Sequence, residues 1–137
     1  RTMVDSGDLV IACGGGGIPV IRQGNHLKGA SAVIDKDFAS ALLAKELDAD
    51  FLIILTAVEK AAIHFGTPDQ KWLDDITVDE AKQYIKEGHF APGSMLPKMQ
   101  AAVEFAESAP GRKSLITLLE KAREGIQGLT GTRIHLK

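Results

Sequence analysis

Two lysines and a run of four glycines are the residues of this 137-residue chain whose types and positions could do chemistry. Lys36 stands between Asp35 and Asp37 at the start of a predicted helix, and Lys98 lies in the first turn of a later one. A cation there opposes the helix dipole, but it can meet a bound anion. Phosphoryl transfer needs mainly positioning and positive charge, which lysines and backbone amides supply.

The glycine run follows Leu9–Cys13, a short apolar segment that predicts a buried strand. Its members can adopt positive φ and bring their amides close to an anion; they are Gly14, Gly15, Gly16 and Gly17. No Gly-Lys-Ser/Thr follows, and the run does not fit Gly-x-Gly-x-x-Gly, so both familiar nucleotide fingerprints are absent. A sharp turn that only glycine tolerates is the alternative to an anion cradle, and the glycines alone leave both open.

Both lysines also have an ordinary structural interpretation. Asp35 is a good helix N-cap, with Lys36 and Asp37 as solvated neighbours. Lys98 can lay its aliphatic stem along the surface and keep its ammonium in water. Local pattern by itself favours these interpretations over phosphate binding.

Other candidate sites have less support. The four histidines are scattered, without an i, i+4 pair or a nearby cysteine, so no zinc site is predicted. No serine lies in a Gly-x-Ser-x-Gly elbow, which leaves a hydrolase unsupported. Trp72, beside Lys71, could stack on a base, although covering a loop edge is the favoured role.

Composition limits the classes of partner. A net charge of −2 gives no basic field for nucleic acid or an anionic membrane. The single cysteine, Cys13, cannot form an internal disulfide, and its apolar neighbours predict a buried thiol in a reducing compartment. No apolar run approaches the length of a membrane span, and no signal-peptide pattern opens the sequence. We therefore expect a cytoplasmic protein.

The elements that must position these residues alternate between strands and helices, which predicts an α/β fold with a mostly parallel sheet and ligands at the carboxyl ends of its strands. Residues 1–8 are typical of a last helical turn with Gly7 after it, so we expect the chain to begin within something larger. The predicted elements are a hairpin around residues 22–25, a helix over 36–47, a central parallel strand over 51–56, one short strand and a surface loop over 60–75, a helix from the capping box at Thr77 to Gly88, a helix from the cap Ser94 to near Pro110, a strand over 114–118, a short helix over 119–126 and a strand over 131–136.

Three segments, "GGGGIPVI", "AVIDKDFASALLAKELDADFLIILTAVEK" and "EGHFAPGSMLPKMQAAVEF", closely resemble the carbamate kinase branch of the amino acid kinase family. The resemblance implies a three-layer α/β/α sandwich, of which residues 1–137 would form the C-terminal, nucleotide-binding lobe. It implies transfer of phosphate between ATP and carbamate, giving ADP and carbamoyl phosphate, with Mg²⁺ accompanying the nucleotide. It also implies a homodimer for the full-length protein.

The resemblance assigns roles to the candidate residues. Lys36 and Lys98 would grip the transferred phosphoryl group and the nucleotide phosphates, Asp37 would orient the lysines, and Gly14–Gly17 would line the site. The residues implied to border the adenosine pocket are Thr56, Val58, Lys60, Gly93, Ser94 and Met95. One departure is Leu118, where the family pattern leads us to expect serine.

The family also uses glycine motifs and a lysine from an N-terminal half that this sequence does not contain. Carbamate binding and turnover by this chain alone therefore stay open. The alternative function is a non-catalytic module that binds a nucleotide or a partner.

Overall fold

The computed structural model describes residues 1–137, which form a four-stranded sheet, two smaller two-stranded sheets and five α-helices. In chain order the elements are α1 (Thr2–Asp5), β1 (Val20–Gln23), β2 (His26–Gly29), α2 (Lys36–Glu46), β3 (Phe51–Thr56), β4 (Ala62–Ile63), β5 (Lys71–Trp72), β6 (Asp75–Thr77), α3 (Val78–Lys86), α4 (Met95–Ala106), β7 (Lys113–Leu118), a 3₁₀ turn (Leu119–Lys121), α5 (Ala122–Ile126) and β8 (Thr132–His135). None of the helices combines the length and apolarity that crossing a bilayer requires.

The main sheet has the order β3-β7-β8-β6. β3 pairs with β7 and β6 with β8 in parallel, whereas β7 and β8 are antiparallel, so the expected mostly parallel sheet is confirmed. The prediction of a central position for β3 is wrong, because β3 is an edge strand. Its continuous apolar run reflects the buried Leu52 and Ile54, but burial of side chains does not dictate how many neighbours a strand has.

Helices cover both faces of this sheet. On one face, α4 packs against β7 and β8 and is flanked by α2 and α3; the Ser114 hydroxyl donates to the Ala102 carbonyl at 2.7 Å. On the other face, Gly125 of α5 lies so close to Leu115 and Thr117 that an added Cβ would come within 3.0 Å of the leucine side chain. Successive strand residues point to opposite faces, and β7 thus separates two helical layers. The three-layer architecture is confirmed, with α5 as the thinner layer.

Two predicted helix starts are confirmed in atomic detail. The Asp35 carboxylate accepts from the Asp37 amide at 2.7 Å and caps α2. At α3 the Thr77 hydroxyl accepts from the Glu80 amide, and the Glu80 carboxylate accepts from the Thr77 amide, which completes the capping box. The Thr77 amide and the Thr77 hydroxyl both donate to the Glu80 carboxylate, and these two hydrogen bonds lower its pKa. Ser94 is the N-cap residue of α4 as expected, but its hydroxyl makes no capping hydrogen bond.

The segment from 60 to 75 contains more strand than its sequence predicts. Besides β4, the two residues of β5 pair back in an antiparallel ladder, with Ala62 opposite Trp72, and β6 follows. Ladders of two or three residues are too short to produce an alternating pattern, so the prediction of a single short strand was wrong.

Residues 8–35, which we call the N-terminal arm, lie outside this layered body. The predicted hairpin is confirmed as the β1–β2 ladder, but the predicted buried strand over Leu9–Cys13 is wrong. Leu9 and Ile11 are 98% and 97% exposed, and Cys13 is an exposed residue with φ of 64° rather than a buried thiol. An apolar run becomes a buried strand only where another strand pairs with it, and no strand of this chain does so.

Candidate functional site

A buried ion pair joins the first turns of α2 and α4. The Lys98 ammonium donates to a carboxylate oxygen of Asp37 at 2.8 Å, and the two side chains are only 14% and 10% exposed. Charges are tolerated at such burial when they are paired and hydrogen-bonded. The interpretation of Lys98 as a surface lysine with its ammonium in water is therefore wrong, and the structure brings together two residues that lie 61 positions apart.

Lys36, the neighbour of Asp37, has no such partner. It is exposed at the first position of α2, where its carbonyl accepts from the Ser40 hydroxyl at 2.7 Å, and its ammonium makes no ion pair or hydrogen bond within the chain. One helix start therefore carries both a fixed, charge-neutral pair and an unpaired cation. An unpaired cation beside free helix amides is suited to an anion.

The glycine run lies beside this helix start. Gly14, Gly16 and Gly17 all have positive φ, between 46° and 126°. A Cβ added at Gly16 would lie 2.5 Å from the Ile34 carbonyl oxygen, so the backbone approaches the chain just before α2 more closely than any larger residue allows. Gly16 also faces Phe38 across a shallow cleft. Both interpretations of the glycines are compatible with this geometry, because a turn that only glycine tolerates brings bare amides to the same end of α2.

A cavity of about 400 Å³ borders the start of α4. Val58 and Lys60 contribute to its wall, and the Lys60 ammonium forms an ion pair with Asp74. The full lining is Val58, Lys60, Ala62, Phe65, Gly88, His89, Phe90, Ala91, Pro92, Ser94 and Met95. Such a mainly apolar wall with a few polar groups is typical of a site for a small organic ligand.

Four of the six residues expected at an adenosine pocket thus line one cavity: Val58, Lys60, Ser94 and Met95. Thr56 does not; it borders a separate depression at the ends of β3 and β7, together with Leu118. Gly93 is exposed and does not line the cavity either.

The first turn of α4 connects the cavity to the ion pair. Ser94 and Met95 line the cavity, while Lys98, one turn further along, reaches Asp37. No side chain caps this helix and no acidic residue lies in its first turn, so the positive end of its dipole is not neutralised locally. A ligand with an apolar part in the cavity could therefore lay an anionic part along this turn.

The sequence matches a known family over most of its length. The family model described as the amino acid kinase family matches residues 1–117. The chain belongs to the amino acid kinase family.

Curated relatives of this amino acid kinase chain share much of its sequence. The carbamate kinase-like protein YqeA of Escherichia coli is 63% identical over 134 residues, and a carbamate kinase of Clostridium perfringens is 53% identical over 134 residues. Each alignment covers 98% of this chain and 43% of the relative. The chain therefore spans less than half the length of the curated relatives it matches.

A solved structure gives the same fold. The carbamate kinase of Giardia lamblia bound to AMP-PNP superposes on this chain with a TM-score of 0.95 at 46% identity, covering 99% of this chain and 43% of that protein. The expected fold and family are thus confirmed.

Some cavity residues of this amino acid kinase chain escape prediction from sequence. His89 lines the cavity and contacts His64 edge to face, with ring centroids 4.4 Å apart. The His89 ring also forms a hydrogen bond with the Glu87 carboxylate at 3.0 Å. A hydrogen bond from Gln83, which has the larger effect, and this bond from His89 lower the pKa of Glu87. Residues 64 and 89 share no sequence spacing that indicates contact, which is why the histidines are read as scattered.

Aromatic residues near the cavity divide their roles. Phe65 lines the cavity and Trp72 does not. Trp72 packs edge to face against the Phe65 ring, with the two ring centroids 6.2 Å apart. The favoured role of Trp72, covering a loop edge, agrees with this position. Only tertiary packing decides which of two nearby aromatic residues faces the cavity.

Proposed function

We propose that residues 1–137 form the nucleotide-binding lobe of a carbamate kinase, which transfers phosphate between ATP and carbamate to give ADP and carbamoyl phosphate. The observation that carries the proposal is the Lys98–Asp37 pair, which joins the start of α4, where Ser94 and Met95 line the cavity, to the start of α2, where Lys36 is unpaired. The names of the relatives, and the AMP-PNP bound to the Giardia protein, support the same chemistry.

In this proposal the cavity takes the adenosine and the phosphates extend along the first turn of α4. Lys36 supplies an unpaired positive charge to the transferred phosphoryl group, whose oxygens carry the negative charge of the transition state. Asp37 holds Lys98 in place through its hydrogen bond, so the second ammonium is positioned before the nucleotide binds. The backbone amides of Gly14–Gly17, in the N-terminal arm, line the site next to the start of α2.

Mg²⁺ is proposed to enter with the nucleotide. No group of three or more histidine, cysteine, aspartate or glutamate side chains in the chain could hold a metal ion by itself. This fits Mg²⁺, which keeps several waters and is commonly bound through substrate phosphates. When bound, it would offset charge on the phosphate oxygens.

A second function, nucleotide binding without turnover, is favoured by the coverage of the relatives, since 43% of their length is matched. Isothermal titration with ADP tests what the two functions share, and absence of binding would contradict both. Formation of ATP from carbamoyl phosphate and ADP by this chain then separates them, because clear turnover would refute the binding-module alternative.

We also propose that the protein forms homodimers when it acts as a kinase. The large apolar side chains left exposed on the N-terminal arm, such as Leu9, Ile11 and Val33, support association. Light scattering across a range of concentrations tests whether this chain already self-associates.

A further inference from the structure

Thr132, at the start of β8, is a fully buried polar residue that bridges two other segments of the chain. Its hydroxyl accepts from the Ala61 amide at 2.8 Å and donates to the Leu73 carbonyl at 2.5 Å. Buried backbone groups require such partners. The hydroxyl therefore satisfies one donor and one acceptor that the sheet ladders leave unpaired.

Each of the two bridged residues is the chain neighbour of one member of an ion pair, and one member of that pair, Lys60, lines the cavity. Lys60 comes directly before Ala61, Asp74 comes directly after Leu73, and the side chains of Lys60 and Asp74 form an ion pair. The Asp74 carbonyl in turn accepts from the Arg133 amide at 2.8 Å, and the Leu73 amide donates to the Ala61 carbonyl at 2.9 Å. Thr132 and its neighbour thus hold the backbone on both sides of the Lys60–Asp74 pair.

The Lys60–Asp74 ion pair and the Thr132 bridge differ sharply in burial. The Asp74 side chain is 71% exposed and that of Lys60 is 26% exposed, so the ion pair alone gives little positional constraint. The constraint comes from the buried end, where Thr132 and Leu73 lie inside the core. The Lys60 side chain therefore extends from a backbone segment whose next amide, that of Ala61, is held by a buried hydroxyl.

We propose that Thr132 is a positioning residue that fixes Lys60 at the rim of the nucleotide cavity by holding the Ala61 amide and the Leu73 carbonyl. The inference rests on the proposed function, in which this cavity takes the nucleotide. Valine has nearly the shape of threonine but lacks the hydroxyl, so in Thr132→Val the two backbone groups must shift or recruit water. Either change moves the residues next to Lys60 and Asp74.

The test measures the dissociation constant for ADP by titration with the 137-residue chain and its Thr132→Val, Thr132→Ser, Lys60→Ala and Lys60→Ala/Thr132→Val variants, with circular dichroism to confirm folding. We expect Thr132→Val to weaken ADP binding about fivefold to tenfold, in keeping with a lost interaction at a positioned charge. Thr132→Ser, which keeps the hydroxyl, should stay within about twofold of the unchanged chain. The double variant should bind no more weakly than Lys60→Ala, because the hydroxyl acts through the lysine.

A folded Thr132→Val chain that binds ADP like the unchanged protein would overturn the inference, and so would full additivity in the double variant. If the unchanged chain binds no ADP, the proposed function fails first and the inference falls with it. If Thr132→Val does not fold, Thr132→Cys decides, because a thiol is a weaker donor and acceptor than a hydroxyl. Weaker ADP binding by Thr132→Cys than by Thr132→Ser then supports the inference, and equal dissociation constants for these two variants overturn it.

Discussion

The N-terminal arm and the layered body, residues 36–137, use similar apolar residues with opposite results. All 25 buried residues of the chain lie between Asp37 and Ile134, whereas the arm has none. Ile11 is almost fully exposed and Ile134 is fully buried, although the two side chains are identical. The difference teaches that an apolar segment becomes core only where the rest of the chain offers a surface, and the proposed site lies where these two regions meet.

The largest expected effect contrasts one isoleucine from each region. Ile134→Ala removes a fully buried side chain from the core and should lower the free energy of unfolding by about 3 to 4 kcal/mol. Ile11→Ala should change it by less than about 0.5 kcal/mol, because an exposed side chain loses little on truncation. Urea denaturation of both variants measures the pair, and equal losses would show that the arm is packed after all.

Breaking the buried Lys98–Asp37 ion pair should have the next largest effect on stability. Asp37→Ala leaves the Lys98 ammonium without its partner and should cost about 3 kcal/mol of stability. Asp69→Ala, which removes an exposed loop carboxylate, is the matched control and should be nearly neutral. A loss below about 1 kcal/mol for Asp37→Ala would mean that the pair is as weak as a surface salt bridge.

The glycine run offers a test of how firmly it packs against the chain segment just before α2. Gly16→Ala places a Cβ against the Ile34 carbonyl at a positive φ and should cost about 1 to 2 kcal/mol while weakening ADP binding. Gly15→Ala is the control, since its φ is not positive and no atom lies within 4 Å of an added Cβ. Identical behaviour of the two variants would mean that Gly16 does not pack against Ile34 in solution.

The smallest expected effect is a change in how the stability of the layered body depends on pH. Hydrogen bonds from Thr77 lower the pKa of Glu80 in the folded chain, so this carboxylate stabilises the fold above the usual glutamate value of 4.5. That contribution is lost as the pH falls through the lowered pKa. In Glu80→Gln, stability should therefore decline less steeply over this acidic range, as measured by denaturation at successive pH values. An unchanged slope would contradict the assignment.

The sequence predicts those features of the fold that neighbouring residues determine, and it misses those that depend on distant parts of the chain. The Asp35 cap, the Thr77–Glu80 box and the β1–β2 turn are set by neighbouring residues, and all three are confirmed. The edge position of β3 and the exposure of Leu9–Cys13 depend on which strands are available as partners, and there the predictions were wrong.

The candidate site divides in the same way. The meeting of Lys98 with Asp37 follows from no spacing rule and was expected only through the family resemblance. The bridge made by Thr132 joins residues 59 and 71 positions away, and its sequence shows nothing but a threonine in a strand. Long-range polar contacts of this kind become visible only once the fold is known.

The most direct test of the phosphate site compares Lys36→Ala with Lys86→Ala, two exposed helical lysines that make no ion pair within the chain. Titration with ADP and with adenosine should show that Lys36→Ala weakens ADP binding about tenfold and leaves adenosine binding unchanged, since a charged hydrogen bond to phosphate is lost. Lys86→Ala should bind both ligands like the unchanged chain. Equal ADP affinity in all three proteins would contradict the role of the α2 start in holding phosphate.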